Sequence, residues 1–527
     1  MPLIQNSKMI KSYYPKLVAA KHIDLVPDSL VGTDTAKKLL LFSLQGITAR
    51  SAARIYYNET NASADYFKHV RRLVGRGYMH AEVEDFWSLF DKYKSEINGS
   101  GYILVDCGKG VEGINAATTA AGAEKWLIAD ISLESRLISL GYEKKLDTVK
   151  TPLSQEEAFE KYKDKLNKSI LIHQKPEIAD LRDYAVAVKA FSFYTHETEA
   201  DTEFRKKVFA WADDDIPVLG WNDDELRFIE SASLYGKFTV PADWANNLSY
   251  LSGAECSAAV QKKSDKEIIP DRKKHYAAFV VSDGDNIQWL LRNFSRASLF
   301  GQRLRNSLPY KISWTVSPSL SELAPSVMQG LYDDGGEYDS FIAGVSGAGY
   351  INPLRYPNLD GFAEGTAALM KKSDLRVVTL LDDNGINGDG LAAEKLANYS
   401  RHAEIDGGIW ELDPDRYGDG KGKIFWSADK PFMSVRLSLW HPSNRMGAVT
   451  KAWLRAQAQK VNSAVRNPYQ IDGYTVINVH PWTMTMKDID YFVSRLAPDV
   501  TIISAPEMIA MAKAILPHKN ESPLKTY

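Results

Sequence analysis

The stretch Phe279-Val-Val-Ser-Asp-Gly-Asp-Asn-Ile-Gln-Trp289 runs an apolar segment straight into two aspartates one residue apart. A buried strand followed at once by a helix that opens near Asn286 is the simplest reading of that pattern. Carboxylates on a surface loop cost nothing, whereas at the end of a buried strand they are expensive and usually functional. Three roles compete for Asp283 and Asp285: capping the helix, ligating a divalent cation, or orienting a water as general base.

The same pattern repeats downstream. Apolar runs at Ala277–Ser282, Ile312–Val316, Phe341–Val345, Arg376–Leu381, Gly408–Glu411, Met433–Leu437, Thr475–Val479 and Thr501–Ile503 are mostly separated by segments of helical length. Ile489, Phe492, Val493 and Leu496 fall on one helix face. Strands apolar throughout, each followed by a helix, predict a parallel sheet covered on both sides. Their number and spacing predict a β/α barrel of seven or eight strands. The Gly- and Asp-rich segment Asp413–Asp429 reads as a long loop.

A polar, charged stretch, Gln261 to His275, precedes the first of these strands and reads as a linker. It divides the chain into an N-terminal α/β domain, 1–265, and a barrel domain, 266–527. Strands are expected in the first half at Leu39–Leu44, Tyr102–Val105, Trp126–Ile128, Tyr184–Val188 and Pro217–Gly220. Similar blocks starting near Lys38, Gly101 and Asp183 suggest three divergent α/β repeats.

Bulk properties narrow the function classes. The 527 residues are 44% hydrophobic and 25% charged with a formal charge of -3, which points away from nucleic acid as a partner. No long uncharged apolar stretch predicts a membrane span, and MPLIQNSKMIKSYYPK lacks the apolar core of a signal peptide. With Cys107 and Cys256 as its two cysteines, the chain offers neither a disulfide framework nor a multi-cysteine zinc site. A monomer without cofactor or metal is the expectation. The 12 tryptophans and 26 tyrosines suit sugar stacking as well as cores.

In a parallel barrel the chemistry gathers at the carboxyl ends of the strands. Besides the aspartate pair, those ends carry Asp382-Asp383-Asn384, Trp440-His441, His480-Pro481-Trp482 and the glycine-rich Ser346-Gly-Ala-Gly-Tyr-Ile-Asn-Pro353. Glu507, after the last strand, fits a first-turn helix acid. Together these residues describe a polar rim lined with aromatics.

Gly347-Ala-Gly-Tyr-Ile-Asn-Pro353 resembles the signature of the GxGYxYP family of glycoside hydrolases from polysaccharide-degrading bacteria, many of the gut. Gly347, Gly349, Tyr350 and Pro353 match, and Asn352 stands where the family has a second tyrosine. The SDGDN segment, Gly220-Trp-Asn-Asp-Asp-Glu225 and Ala242-Asp-Trp-Ala-Asn-Asn-Leu-Ser249 extend the likeness over essentially the whole chain. The resemblance implies an N-terminal domain of three divergent repeats, a seven-stranded barrel, and a site between them. It further implies a three-carboxylate site of Glu225, Asp283 and Asp285, an interdomain cleft, a carbohydrate substrate and an extracytoplasmic location. Asp223 and Asp224 adjoin Glu225 and compete with it for the first-domain position. Asn286, Trp221, Gly347, Gly349, Tyr350, Asp382, His480, Trp482 and Asp243 are the candidate substrate-binding residues.

Glycoside cleavage needs one protonated and one ionised carboxyl group astride the bond. A glutamate reaching across a cleft is expected to be desolvated and to keep its proton, so Glu225 is assigned as acid and Asp283 or Asp285 as base. That arrangement suggests inversion, with carboxylates roughly 6.5–9.5 Å apart. Two other classes stay open: a metal-dependent carbohydrate deacetylase, which usually shows an H-x-x-x-H pair missing here, and a noncatalytic glycan binder using Trp289, Tyr350, Trp440 and Trp482.

Overall fold

A computed structural model describes residues 12–61, 64–262, 268–296, 298–305, 309–382, 393–412, 416–418 and 420–517. The linker boundary expected at residue 265 therefore lies outside the described residues.

Three strands explain how the second half folds. His275–Val281 is buried at all seven positions, as are Ile312–Val316 and Tyr474–Val479. Such strands cannot alternate between core and solvent, so both faces must be covered by helices. Lateral pairing runs parallel from His275–Val281 through Ile312–Val316, Asp339–Val345 and Val377–Asp382 to Gly407–Leu412. Lys430–Ser434 then pairs with Gly407–Leu412, and Leu437–Leu439 pairs with Tyr474–Val479. The handover takes two residues: Val435 N donates to Trp410 O at 3.1 Å, and Arg436 N donates to Val476 O at 3.0 Å. Tyr474–Val479 in turn pairs with His275–Val281, so the sheet curls on itself. Val500–Ile502 fills in beside the start of His275–Val281.

Within the expected loop Asp413–Asp429, the strand Ile424–Ser427 pairs antiparallel with Lys430–Ser434. Ala428 and Asp429 connect them, both at positive φ, as a tight two-residue hairpin turn requires. The hairpin escapes a sequence reading because its turn lacks glycine.

The first half carries three small parallel sheets. In the first, Ala19–Pro27 lies between Ala53–Asn58 and Met79–Glu82; in the second, Gly101–Val105 lies between Leu127–Asp130 and Glu143–Asp147. The third runs Phe191–Phe193, Leu171–His173, Ile216–Gly220, Lys237–Val240. Two expected strands are helical: Leu39–Leu44 sits inside the helix Thr35–Ala49, and Tyr184–Val188 inside Arg182–Val188. Both are buried nearly all round, and an apolar run buried on every side carries no periodicity to distinguish helix from strand. They cross at Gly46, where a Cβ would lie 2.5 Å from Asp183 O.

The two halves share one continuous core that includes Tyr56, Phe238 and Val240 from the first and Phe279, Trp314 and Phe362 from the second. Polar ties reinforce it. Arg292 meets Glu59 at 3.1 Å and Asp180 at 3.5 Å, all three largely buried. The His69 Nε2 atom lies 2.8 Å from Leu291 O. Among the described residues no helix is long and apolar enough to cross a membrane.

Candidate active site

All the parallel strands of the curled sheet present their carboxyl ends on one side, and there the first half covers them. Between the halves lies a narrow cleft of about 70 Å³ lined by Trp221, Glu225 and Pro241 from one side. Ser282, Asp283, Asp285, Asn286, Thr315, Tyr350 and Glu411 line it from the other.

The doublet is shaped by its surroundings. Asp283 adopts φ +66°, a conformation uncommon outside glycine but tolerated by aspartate. Ser282 Oγ donates to its Oδ2 at 2.6 Å, and Trp482 Nε1 donates to its Oδ1 at 2.9 Å. Gly284 lets the turn press against the next strand: a Cβ there would stand 1.7 Å from Thr315 O. Its N–H donates to Thr315 Oγ1 at 2.9 Å, while that hydroxyl donates to Val281 O at 2.6 Å. The helix Ile287–Leu291 is capped by Asn286, whose Oδ1 accepts from Trp289 N. Capping therefore occupies Asn286 and leaves both aspartate side chains to the cleft.

Asp285 keeps some surface, yet its carboxyl is packed among protein atoms. Desolvation, then the charges of Asp283 and Glu225, push its pKa up to about 8. The ionised form is penalised twice, by lost hydration and by like charge. At neutral pH Asp285 holds its proton.

On the opposite wall the run Trp221-Asn-Asp-Asp-Glu225 distributes its acids. Asp223 is tied to Lys175 Nζ at 2.6 Å. Asp224 caps the helix Glu225–Leu234 by accepting from Arg227 N. Glu225, the first residue of that helix, lines the cleft. Gly220 at φ +123° permits the turn before it, since a Cβ would stand 1.8 Å from His173 O. Trp221 is anchored through its carbonyl, which accepts from His173 Nδ1 at 3.0 Å; His173 Nε2 accepts from Thr195 N at 3.1 Å. The desolvation expected for Glu225 is not found. Its side chain is exposed, because it sits at a helix start on the rim, and the desolvated carboxyl is Asp285.

The glycine-rich loop joins the halves. Tyr350 exchanges both backbone hydrogen bonds with Thr239, N to O at 2.8 Å and 3.0 Å. Gly349 allows that approach, since a Cβ would meet Phe238 Cδ2 at 2.6 Å and Thr239 O at 2.8 Å. Gly347, at φ +99°, turns the chain beside Thr366. Tyr350 is almost fully buried and closes the cleft floor.

Other candidates fall elsewhere. Asp243 is buried with its carbonyl accepting from Gln174 Nε2, and it does not line the cleft. His480 is buried under Trp440, ring centroids 3.8 Å apart and planes 4° apart. Burial lowers its pKa, partly offset by the charge of Asp283. Trp482 is 42% exposed beside the doublet, whereas Trp289 is buried beneath it at 5.0 Å between ring centroids. His441 turns to Ser443 and Trp453. Glu507 completes a capping box with Ser504. Asp382 ends the strand Val377–Asp382, but its side chain, with Asp383 and Asn384, lies outside the described residues. Among the described residues no group of three or more His, Cys, Asp or Glu is arranged to hold a metal ion.

Glu411 was not among the residues expected from sequence. It sits near the end of Gly407–Leu412, 3% exposed, and lines the cleft as a fourth carboxyl. Its signal was present in Gly407-Gly-Ile-Trp-Glu-Leu412, where one acid closes an apolar run, the criterion that singled out Asp283.

A curled, mostly parallel sheet with four acids gathered at a cleft by its carboxyl ends makes this a mixed α/β protein with a carboxyl-lined cleft. The chain belongs to the GxGYxYP family. Residues 25–95 match its first domain, 168–253 its third domain, and 273–513 the domain described as "GxGYxYP putative glycoside hydrolase C-terminal domain". The chain is similar to a crystal structure described as a putative hydrolase from Bacteroides thetaiotaomicron VPI-5482. Identity is 26%, coverage 95% of this chain and 96% of that one, and the TM-score 0.84. A structure described as a putative polysaccharide deacetylase from Mycobacterium smegmatis is 11% identical over 50% of this chain and 100% of that one, with a TM-score of 0.33 that supports no argument. None of the curated proteins matches.

Proposed function

We propose that the protein hydrolyses glycosidic bonds of a poly- or oligosaccharide by carboxyl acid/base catalysis, with inversion. The observation that carries this reading is the cleft shared by Glu225, Asp283 and Asp285, in which Asp285 retains a proton to about pH 8. A general acid must be protonated at working pH, and Asp285 meets that need better than the exposed Glu225. Asp285 then protonates the leaving oxygen, and Glu225 takes a proton from the attacking water. Asp283, fixed by Ser282 and Trp482, stabilises the positive charge that builds on the sugar ring. Trp482 offers a partly exposed indole face for stacking. Closure of the sheet into a seven-stranded barrel, with Lys430–Leu439 as the sixth strand, belongs to the same reading. So do an N-terminal domain of three related α/β repeats, a monomeric state, and action outside the cytoplasm, where polymers are met.

The test is reducing-sugar release across neutral polysaccharides and aryl glycosides, with NMR of the first-formed anomer. Activity in the unmutated protein that is lost in Asp285→Asn and Glu225→Gln supports the proposal. Binding without turnover across the whole panel refutes it and favours a glycan binder. Hydrolysis that a chelator abolishes refutes it in favour of a metal-dependent enzyme.

A further inference from the structure

We infer that the cleft is one end of a longer groove across the first half of the chain, suited to an uncharged or amine-bearing glycan rather than an anionic one; this rests on the glycoside-cleavage reading above.

Space is the first argument. At about 70 Å³ the cleft falls below the roughly 300–1,000 Å³ typical of a small-molecule site, so most binding volume must lie beside it. Glu225 also borders a hollow of about 420 Å³ walled by Tyr194, His196 and Asn222. Tyr194 and His196 in turn border the next hollow, of about 590 Å³. Glu225 is thus a shared wall of the first two hollows, and Tyr194 and His196 are shared walls of the second and third. The rings of Tyr194 and His196, 5.2 Å apart, stand at the neck between the two larger ones. His196 is exposed there, offering a flat face and two ring nitrogens to a sugar unit.

Charge is the second argument. Glu225, Asp283, Asp285 and Glu411 face the cleft with no Lys or Arg among its described lining residues. The largest hollow presents Asp106, Glu112, Glu156 and Asp201 against one cation, Lys109. Two backbone donors next to Asp106 are taken: Gly108 N and Lys109 N both donate to Asp106 Oδ1, at 2.8 Å and 3.1 Å. A sulfate, phosphate or uronate would meet carboxylates and occupied donors, whereas hydroxyl groups and ammonium groups find acceptors throughout.

Affinity gel electrophoresis of the full chain against neutral polymers (β-glucan, mannan, xylan), chitosan and anionic ones (pectate, alginate) tests charge selection. Retardation is expected with at least one neutral or amine-bearing polymer and with neither anionic one. Glu156→Lys, an exposed change, is expected to reduce that discrimination. Oligomers of the retained polymer, from disaccharide to octasaccharide, then test length. Affinity is expected to rise with each added unit beyond the trisaccharide, and His196→Ala to lower the long-to-short affinity ratio about tenfold with the melting temperature unchanged. Equal affinity for short and long oligomers, or retardation by pectate or alginate equal to that by neutral polymers, overturns the groove. Failure of the hydrolysis reading would appear separately, as binding of this pattern without reducing-sugar release.

Discussion

Trp482 Nε1 donates to Asp283 Oδ1 at 2.9 Å, joining two residues 199 positions apart across the mouth of the curled sheet. The indole thus does two things at once. It fixes one oxygen of the doublet and keeps a face in solvent beside it. Trp482→Phe retains a ring and removes only the donor. We expect kcat to fall about tenfold or more with KM little changed, while Trp482→Ala raises KM as well. Steady-state kinetics on a cleaved glycan separates the two.

The proton on Asp285 sets the alkaline limit of activity. If it is the acid, kcat/KM falls above about pH 8, where the group ionises. Substitution by Asn should cost on the order of 10²–10⁴ in rate and remove that alkaline limb from whatever activity remains. A pH–rate profile that stays flat to pH 10 would assign the role elsewhere.

Stability carries the same signature with a definite sign. In the unfolded chain Asp285 titrates near the ordinary aspartate value of about 4; folded, it titrates near 8. Between these values the folded chain binds the extra proton, so the group's contribution is full below about pH 4 and is lost as pH rises to about 8. Asp285→Asn should therefore raise stability at pH 8 by on the order of 5 kcal/mol at most and flatten that decline. Denaturant titrations of both proteins at pH 5 and pH 8 read it directly.

Glu411 tests whether the cleft uses a fourth carboxyl. We expect Glu411→Gln to reduce kcat/KM at least tenfold (about 1.4 kcal/mol of transition-state binding) while the melting temperature holds. Unchanged kinetics would make it a wall residue only.

Gly349→Ala addresses the join between the halves. The new Cβ would press on Phe238 and Thr239 O, and overpacking of this kind costs about 1–3 kcal/mol. Thermal unfolding should fall by several degrees, and the cleft should lose activity with it because Tyr350 shifts.

The sequence was a good guide wherever local pattern and burial agreed. Ile312–Val316 was legible to the residue because Ile312, Trp314 and Val316 alternate with two small β-compatible residues and the run ends at Ser317-Pro318. The doublet's place at a strand end followed from the same logic. Leu39–Leu44 and Tyr184–Val188 misled because each is a helix enclosed by neighbours, with no polar face to reveal its period. The Ile424–Ser427 hairpin was missed because Ala428 and Asp429 adopt positive φ without glycine. Glu411 was overlooked although its setting met the test applied to Asp283.

What the chain alone determined is what short-range chemistry can dictate. Apolar runs, their spacing and the acids that close them follow from a few consecutive residues and the cost of burying charge. Tertiary structure decided which of three consecutive acids faces the cleft. Lys175 claims Asp223, a helix end claims Asp224, and Glu225 is the one that lines the cleft. It also decided that Asp285 keeps the proton, since desolvation and the fields of Asp283 and Glu225 arise only when distant segments meet. A pKa belongs to an environment, and that environment is assembled by folding.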